Sequence, residues 1–322
     1  MSEHIPDLSV VVVSPEGGAG IARLMRRLRT QSIAAQLEIL ICVSIEATET
    51  VPPDWEAAFH SVRFIPADLT SSARARVPAI HAARAPCVAL AEDHCFPVDD
   101  TWAERLLDGL RQGHAAVGPR IRNANPGTAT SWALLMAEYS PWIAGGAARQ
   151  MDLLPGHNSA YDRAVLLSFG NTLPALLEAE FLLHRALRAQ GRTLLHDPRI
   201  EVEHLNHSLP LAALKLSFMS GWMFAASRSK HWTGAHRAVY AVAGPLIGVR
   251  RFPRVMRQSL GDPVQRGDIL RALPMMAAIL MASGLGEGIG YAFGDGGRRA
   301  ALSRMEYHRW RNMRPEEQTL AR

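Results

Sequence analysis

The chain has 322 residues, 48% of them apolar and 20% charged, with a formal net charge of +5. Those proportions exclude wholesale disorder and suffice for one large domain or two smaller ones. Arginines crowd the last third (Arg250, Arg251, Arg254 and Arg257, then Arg298, Arg299, Arg304, Arg309, Arg311 and Arg314), which points to an anionic partner such as a phosphate or a lipid headgroup. No nucleic-acid-binding module accompanies them, so nucleic acid is not an expected partner.

Three cysteines, Cys42, Cys87 and Cys95, sit in or beside apolar runs and read as reduced core residues. The start, MSEHIPDLSVVVV, carries acids where a signal peptide needs bases, so the expected location is cytoplasmic.

Residues 8–14 form a continuous β-branched run, which predicts a strand buried on both faces. Pro15-Glu16-Gly17-Gly18 reads as a loop, and Ile21, Leu24, Met25 and Leu28 then recur at helical spacing. Residues 37–44 predict a second buried strand and 62–65 a short third; 74–85 read as a helix despite Pro78, and 87–91 as a strand. This order is that of a doubly wound, mostly parallel sheet, in which ligands bind beyond the carboxyl ends of the strands. Pro15-Glu16, Ser44-Ile45-Glu46 and Glu92-Asp93-His94 are therefore expected around one crevice.

Further on, 102–112 predict a helix, 116–118 a strand stub and 123–130 a polar loop. Residues 138–152, rich in Gly and Ala, read as a mobile loop, and 176–190 as one strong helix ending at Gly191. Short strands at 193–195 and 200–202 close a first domain, 1–206, leaving 207–322 as a helical, basic region.

Glu92-Asp93-His94 is the sharpest chemical feature. Two carboxylates and an imidazole crowded at a strand end are costly unless they serve a cation, and oxygen ligands with one imidazole suit magnesium or manganese. A solvated loop with Asp93 capping the next turn is the other reading. A second cluster, His196-Asp197-Pro198 with Glu201, Glu203, His204 and His207, either completes such a site or supplies polar strand caps. Glu178 and Glu180 open a helix, where acids are favoured by electrostatics alone.

The segments LSVVVVSP, RARVPAIHAARAPCVALAEDHCFP, LPGHNSAYDRAVLLSFG and LEAEFLLHRALRAQGRTLLHDPRIEVEH together resemble, in order and spacing, the family-2 glycosyltransferases over residues 8–207. The resemblance implies a GT-A-type, Rossmann-like α/β fold: a mixed, mostly parallel sheet with flanking helices, here followed by the helical C-terminal region. It implies an inverting transfer of a sugar from a nucleotide-diphosphate donor to a hydroxyl acceptor, with Mn2+ or Mg2+ as cofactor.

Carried over residue by residue, Glu180 matches the general base. Asp93 and His94 fall on the motif that grips metal and diphosphate, with Glu92 beside the ribose or the metal, and His204 matches a histidine that assists there. Pro15 and Glu16 line up with the loop flanking the nucleotide base, while Gly156, His157 and Asn158 would border the acceptor. The departing diphosphate needs positive charge from the metal or from Arg74 and Arg76.

This sequence departs from the family at three places. Val43-Ser44 stands where an aspartate reads the base, with Glu46 as a substitute; His94 replaces the usual last aspartate; and Ala179-Glu180 replaces Glu-Asp. A chain that kept the fold and binds without catalysis is the alternative these departures leave open.

In the tail, residues 238–249 are apolar but too short to span a bilayer. Residues 272–293 are long enough, though Pro274, Glu287 and several glycines and serines interrupt them, which favours an in-plane or re-entrant helix or a buried hairpin over a true span. GLGEGIGYAFG resembles a segment in the tails of membrane-bound members of the same family. A tail docked on the inner membrane surface would go with a lipid-linked acceptor.

Overall fold

The computed structural model describes residues 5–260 and 266–321; the acidic first residues of the chain lie outside it. In chain order the elements are β1 (Leu8–Val13), α1 (Gly17–Gly20), α2 (Ala22–Arg29), β2 (Leu37–Ser44), α3 (Pro53–Glu56), β3 (Ser61–Ala67), α4 (Ser72–Ala82), β4 (Cys87–Glu92), β5 (Cys95–Pro97), α5 (Trp102–Arg111) and β6 (Ala116–Asn123). Then come α6 (Ala129–Tyr139), β7 (Arg149–Gln150), β8 (Ala160–Asp162), α7 (Arg163–Leu167), α8 (Leu173–Leu177), α9 (Glu180–Ala189) and β9 (Leu194–His204). Four helices close the chain: α10 (Pro210–Arg228), α11 (Gly234–Ser259), α12 (Arg266–Phe293) and α13 (Arg299–Tyr307).

Residues up to Arg122 together with Gly146–His204 form one compact unit, and Asn123–Gly145 with Leu205–Leu320 a second. The first is built on a mixed, mostly parallel sheet with flanking helices. Its strand order is β3-β2-β1-β4-β8-β6-β9-β5, with β7 beside β9. The first four of these strands run parallel, and β8, β5 and β7 pair antiparallel to their neighbours.

Every residue of β1 is buried, as its unbroken LSVVVV run demands of a strand flanked on both edges and covered on both faces. Glu38 is an acid inside buried β2, and it is tolerated because three donors meet it. Ser9 Oγ lies 2.5 Å away, an Arg63 guanidinium nitrogen 2.7 Å and the Arg84 N–H 2.8 Å.

Register sets the site. Val13 stands opposite Cys42 of β2 and Glu92 of β4, so the chain leaves β1, β2 and β4 at one edge of the sheet. Helix α4 begins at its N-cap Ser71 and packs across β1, β2 and β3, which directs Arg76 toward that edge. It ends at Ala82, before the sequence-based limit at residue 85, because Ala83 turns extended.

Three further expectations need correction. The short strands expected at 193–195 and 200–202 are one continuous strand, β9. Residues 138–152 are not a loop throughout: α6 runs to Tyr139, a 3₁₀ turn follows at Ser140–Trp142, Ile143 is buried, and Arg149–Gln150 pairs with β9. Burial of Ile143 before the Gly-rich stretch and backbone pairing of Arg149–Gln150 after it give structure that composition conceals. Residues 176–190 are not one helix. Ala179 adopts a non-helical conformation (φ −141°, ψ 77°), so α8 stops at Leu177 and Glu180 opens α9. Gly191 does end that helix, with φ +75° where an L side chain would be strained.

In the second unit, α12 packs against α10, α11 and α6. The contacts are backbone-close. A Cβ on Gly244 would lie 2.6 Å from the Gly284 carbonyl oxygen, and one on Gly248 would lie 2.5 Å from that of Leu280. Arg251 and Glu287 pair across the α11–α12 seam at 3.3 Å.

Candidate active site

Glu92 is the last residue of β4, and Asp93-His94 form the turn into β5. A Glu92 carboxylate oxygen lies 3.1 Å from His94 Nε2, 3.8 Å from His157 Nδ1 and 4.0 Å from His204 Nε2. His204 arrives because β9 ends beside β5, with Cys95 opposite His204. The His94 and His204 rings meet edge to face at 5.0 Å, and those of His157 and His204 lie 5.5 Å apart.

One oxygen of Glu92 and one nitrogen each from His94 and His204 lie within 4.8 Å of one another. A carboxylate and two imidazoles at that spacing suit a divalent cation. Asp93 has another position: its carboxylate accepts a 2.6 Å hydrogen bond at His94 Nδ1, behind the ring. A carboxylate there fixes the tautomer, leaving Nε2 as the donor toward a metal. Burial acts to raise the Glu92 carboxyl, but His157 and His94 outweigh it, with Arg76, and hold the group well below the usual range.

Arg76, almost wholly buried, reaches Glu92 at 3.4 Å. Its guanidinium also acts on Glu180, so one cation serves both acids. Arg74 points elsewhere: its Nε is 2.7 Å from Glu178, and its side chain is largely exposed.

Glu180 sits against the backbone of Gly156, whose N–H donates to it. A Cβ on Gly156 would lie 1.7 Å from Glu180 Cδ, so glycine is what makes room for this carboxylate. Burial raises the Glu180 carboxyl to about 7, with Arg76 opposing and Glu92 adding to the rise. Next in the chain come His157, already placed beside Glu92, and Asn158. Asn158 is fully buried with φ +57°, a conformation asparagine tolerates better than most residues. Its amide nitrogen and oxygen find no hydrogen-bond partner among the described residues.

Of the residues named from sequence, Glu92, Asp93, His94, His157, His204, Arg76, Gly156 and Glu180 come together. Pro15 is half-buried at the end of β1, whereas Glu16 and Glu46 are exposed. Glu49 was not anticipated: its carboxylate accepts from the Gly18 N–H at 3.4 Å and fills the space beside Gly17, whose φ is +62°. Only the Gly17-Gly18 pair hinted that something would approach there. Tyr161 and His184 were also missed. The Tyr161 hydroxyl lies 3.0 Å from His184 Nε2, burial pushes His184 down to about 4, and Tyr161 is raised by burial and by Glu180. His184 follows Glu180 by four residues, one helical turn, which is the signal that placed them on one face.

No family model and no curated protein matches the chain. Solved structures resemble it in fold. GalNAc-T7 with UDP, GalNAc and Mn2+ shows 16% identity over 63% of this chain, at a TM-score of 0.45. The alignment takes in 44% of that protein, so this chain matches less than half of its length. The mannosyltransferase PcManGT from Pyrobaculum calidifontis, with GDP-Man and Mn2+, shows 14% identity over 86% of this chain and 74% of its own, at 0.44. TarS from S. aureus with UDP shows 13% identity over 85% and 90%, at 0.46.

Proposed function

We propose that the chain is an inverting glycosyltransferase that moves a sugar from a nucleotide-diphosphate donor to an acceptor hydroxyl. The first unit is the catalytic one in this reading, and the second is a helical, basic accessory. One observation carries the proposal: the consecutive residues Gly156 and His157 join a recessed carboxylate, Glu180, to the Glu92–His94–His204 cluster. An acid with a pKa near neutrality beside a cation-suited cluster is what transfer to a hydroxyl requires.

Glu92, His94 and His204 would hold the cation, with Asp93 orienting His94. The mixed imidazole–carboxylate set favours Mn2+ over Mg2+. Bound there, the cation supplies positive charge for the departing diphosphate. Arg76 adds a fixed guanidinium at the same place. Glu180 accepts the acceptor's proton as its oxygen attacks the anomeric carbon; that C–O bond forms while the bond to the diphosphate breaks with its electron pair. A single displacement inverts the centre. Asn158 offers a buried amide donor and acceptor to sugar hydroxyls. Pro15, Glu16 and Glu46 would lie toward the nucleotide base, and a lipid-linked acceptor fits the apolar, cationic second unit.

Thermal-shift screening of the purified chain against UDP-, GDP- and other nucleotide-sugars, with and without Mn2+, tests this. Metal-dependent stabilisation by one donor class, with slow donor hydrolysis, is expected. No response to any nucleoside diphosphate would leave a scaffold that kept only the fold.

A further inference from the structure

Helix α11 has two faces of opposite kinds. One is committed to α12. Gly244 and Gly248 bring the backbones together, Arg251 meets Glu287, and the Arg237 Nε donates to the Tyr291 carbonyl at 2.7 Å. Trp232, stacked on His236 at 4.1 Å and on Tyr291 at 5.4 Å, pins the start of the helix.

The opposite face should be polar if it met only water. Instead it presents Val239 (66% exposed), Val242 (84%), Leu246 (70%) and Val249 (56%). Their spacing of three, four and three residues puts them on one side of the helix. At about 1.5 Å per residue the stripe runs for roughly 15 Å, about half the thickness of a bilayer's hydrocarbon core.

Where the stripe ends, the charges begin. Arg250, Arg254 and Arg257 are all exposed. At 100° per residue Arg250 and Arg257 fall on the side of the stripe and Arg254 on its flank. No Asp or Glu occurs anywhere in Gly234–Ser259. An apolar stripe that ends in guanidinium groups, with no acid on the helix, complements a surface that is apolar beneath and anionic at its rim.

We infer that the exposed face of α11 docks in the plane of a membrane bearing anionic phospholipid. Val242 and Leu246 enter the acyl boundary, and Arg250, Arg254 and Arg257 take phosphate groups. The stripe is too short to cross. α12 is the one described helix long and apolar enough to do so, but it packs against α6, α10 and α11 and carries the buried Glu287, paired with Arg251. The inference does not depend on the transferase reading: a chain that binds vesicles yet transfers nothing upholds it.

Co-sedimentation of the full chain with phosphatidylcholine vesicles, with and without phosphatidylglycerol, is the test. Binding is expected only where phosphatidylglycerol is present. The double variant V242E/L246E should lower the partition coefficient by about tenfold or more, since each Glu puts a charge where an apolar group enters. The triple variant R250Q/R254Q/R257Q should lower it by roughly 100-fold at about 0.1 M salt, each arginine contributing about fivefold. All five positions are solvent-exposed, so unchanged melting temperatures would exclude misfolding as the cause. Equal binding to neutral vesicles, or wild-type binding by V242E/L246E, overturns the inference. So does a dimer in light scattering without lipid that V242E/L246E dissolves, which would assign the face to a second copy of the chain.

Discussion

Replacing Glu180 by Gln removes one ionisable proton site and almost no volume, and the consequences for rate and for stability have opposite signs. Burial raises this carboxyl from 4.5 to about 7 in the folded chain. A raised pKa means that the folded state keeps its proton while the unfolded chain releases it. Stability therefore falls as pH climbs from about 4.5, and the full penalty is in place above about 7. At about 1.4 kcal/mol per pKa unit the penalty is about 3 kcal/mol, and the partial solvent access of Glu180 lowers it to about 2 kcal/mol.

E180Q should therefore melt about 5 °C higher than the parent at pH 8, measured in EDTA, and at the same temperature at pH 4. The amide oxygen still accepts from the Gly156 N–H, so the local backbone has no reason to move. Transfer behaves in reverse. The parent's rate should rise with pH through about 7 as the base ionises, and E180Q should fall by about 10² to 10⁴-fold and lose that limb. Wild-type turnover by E180Q would remove Glu180 from the mechanism. An unchanged melting temperature at pH 8 would show that the carboxyl is not held in the environment described.

Other substitutions probe the neighbouring contacts. G156A places a methyl group 1.7 Å from Glu180 Cδ and must push the carboxylate aside; with about 1 Å of misplacement worth roughly 100-fold, kcat should drop by that factor while donor affinity by calorimetry holds. D93N takes the orienting carboxylate off His94 Nδ1 and should weaken Mn2+ binding by about 10 to 100-fold in titration calorimetry, whereas H204A should abolish it. R251M strands Glu287 in the α11–α12 seam and should cost about 3 kcal/mol in urea unfolding. Adding E287Q to R251M should recover most of that, and failure to recover would mean the pair matters for something other than charge compensation.

What could be read from the sequence, and what could not, follows from the range of the interactions involved. The parallel strands were legible because a strand covered on both faces tolerates only an unbroken apolar run, as in β1 and β2. Placing their tips together needed no more than the rule for parallel sheets. The division of labour between Glu92 and Asp93 was not legible. The two are adjacent, and it is the turn after β4 that sends one carboxylate toward His204 and the other behind His94.

His157 was read as bordering an acceptor, yet it lies beside Glu92, a neighbour 65 positions earlier in the chain. The break at Ala179 was equally hidden, since Leu, Glu and Ala all favour helix and tertiary contacts outweigh the few tenths of a kcal/mol per residue that propensity supplies. The tail makes the same point from the other side. Its valines, glycines and arginines have one composition whether they fill a core or face a bilayer. Two backbones in contact at Gly244 and Gly284 decide which face of α11 is already taken, and so which face is left exposed.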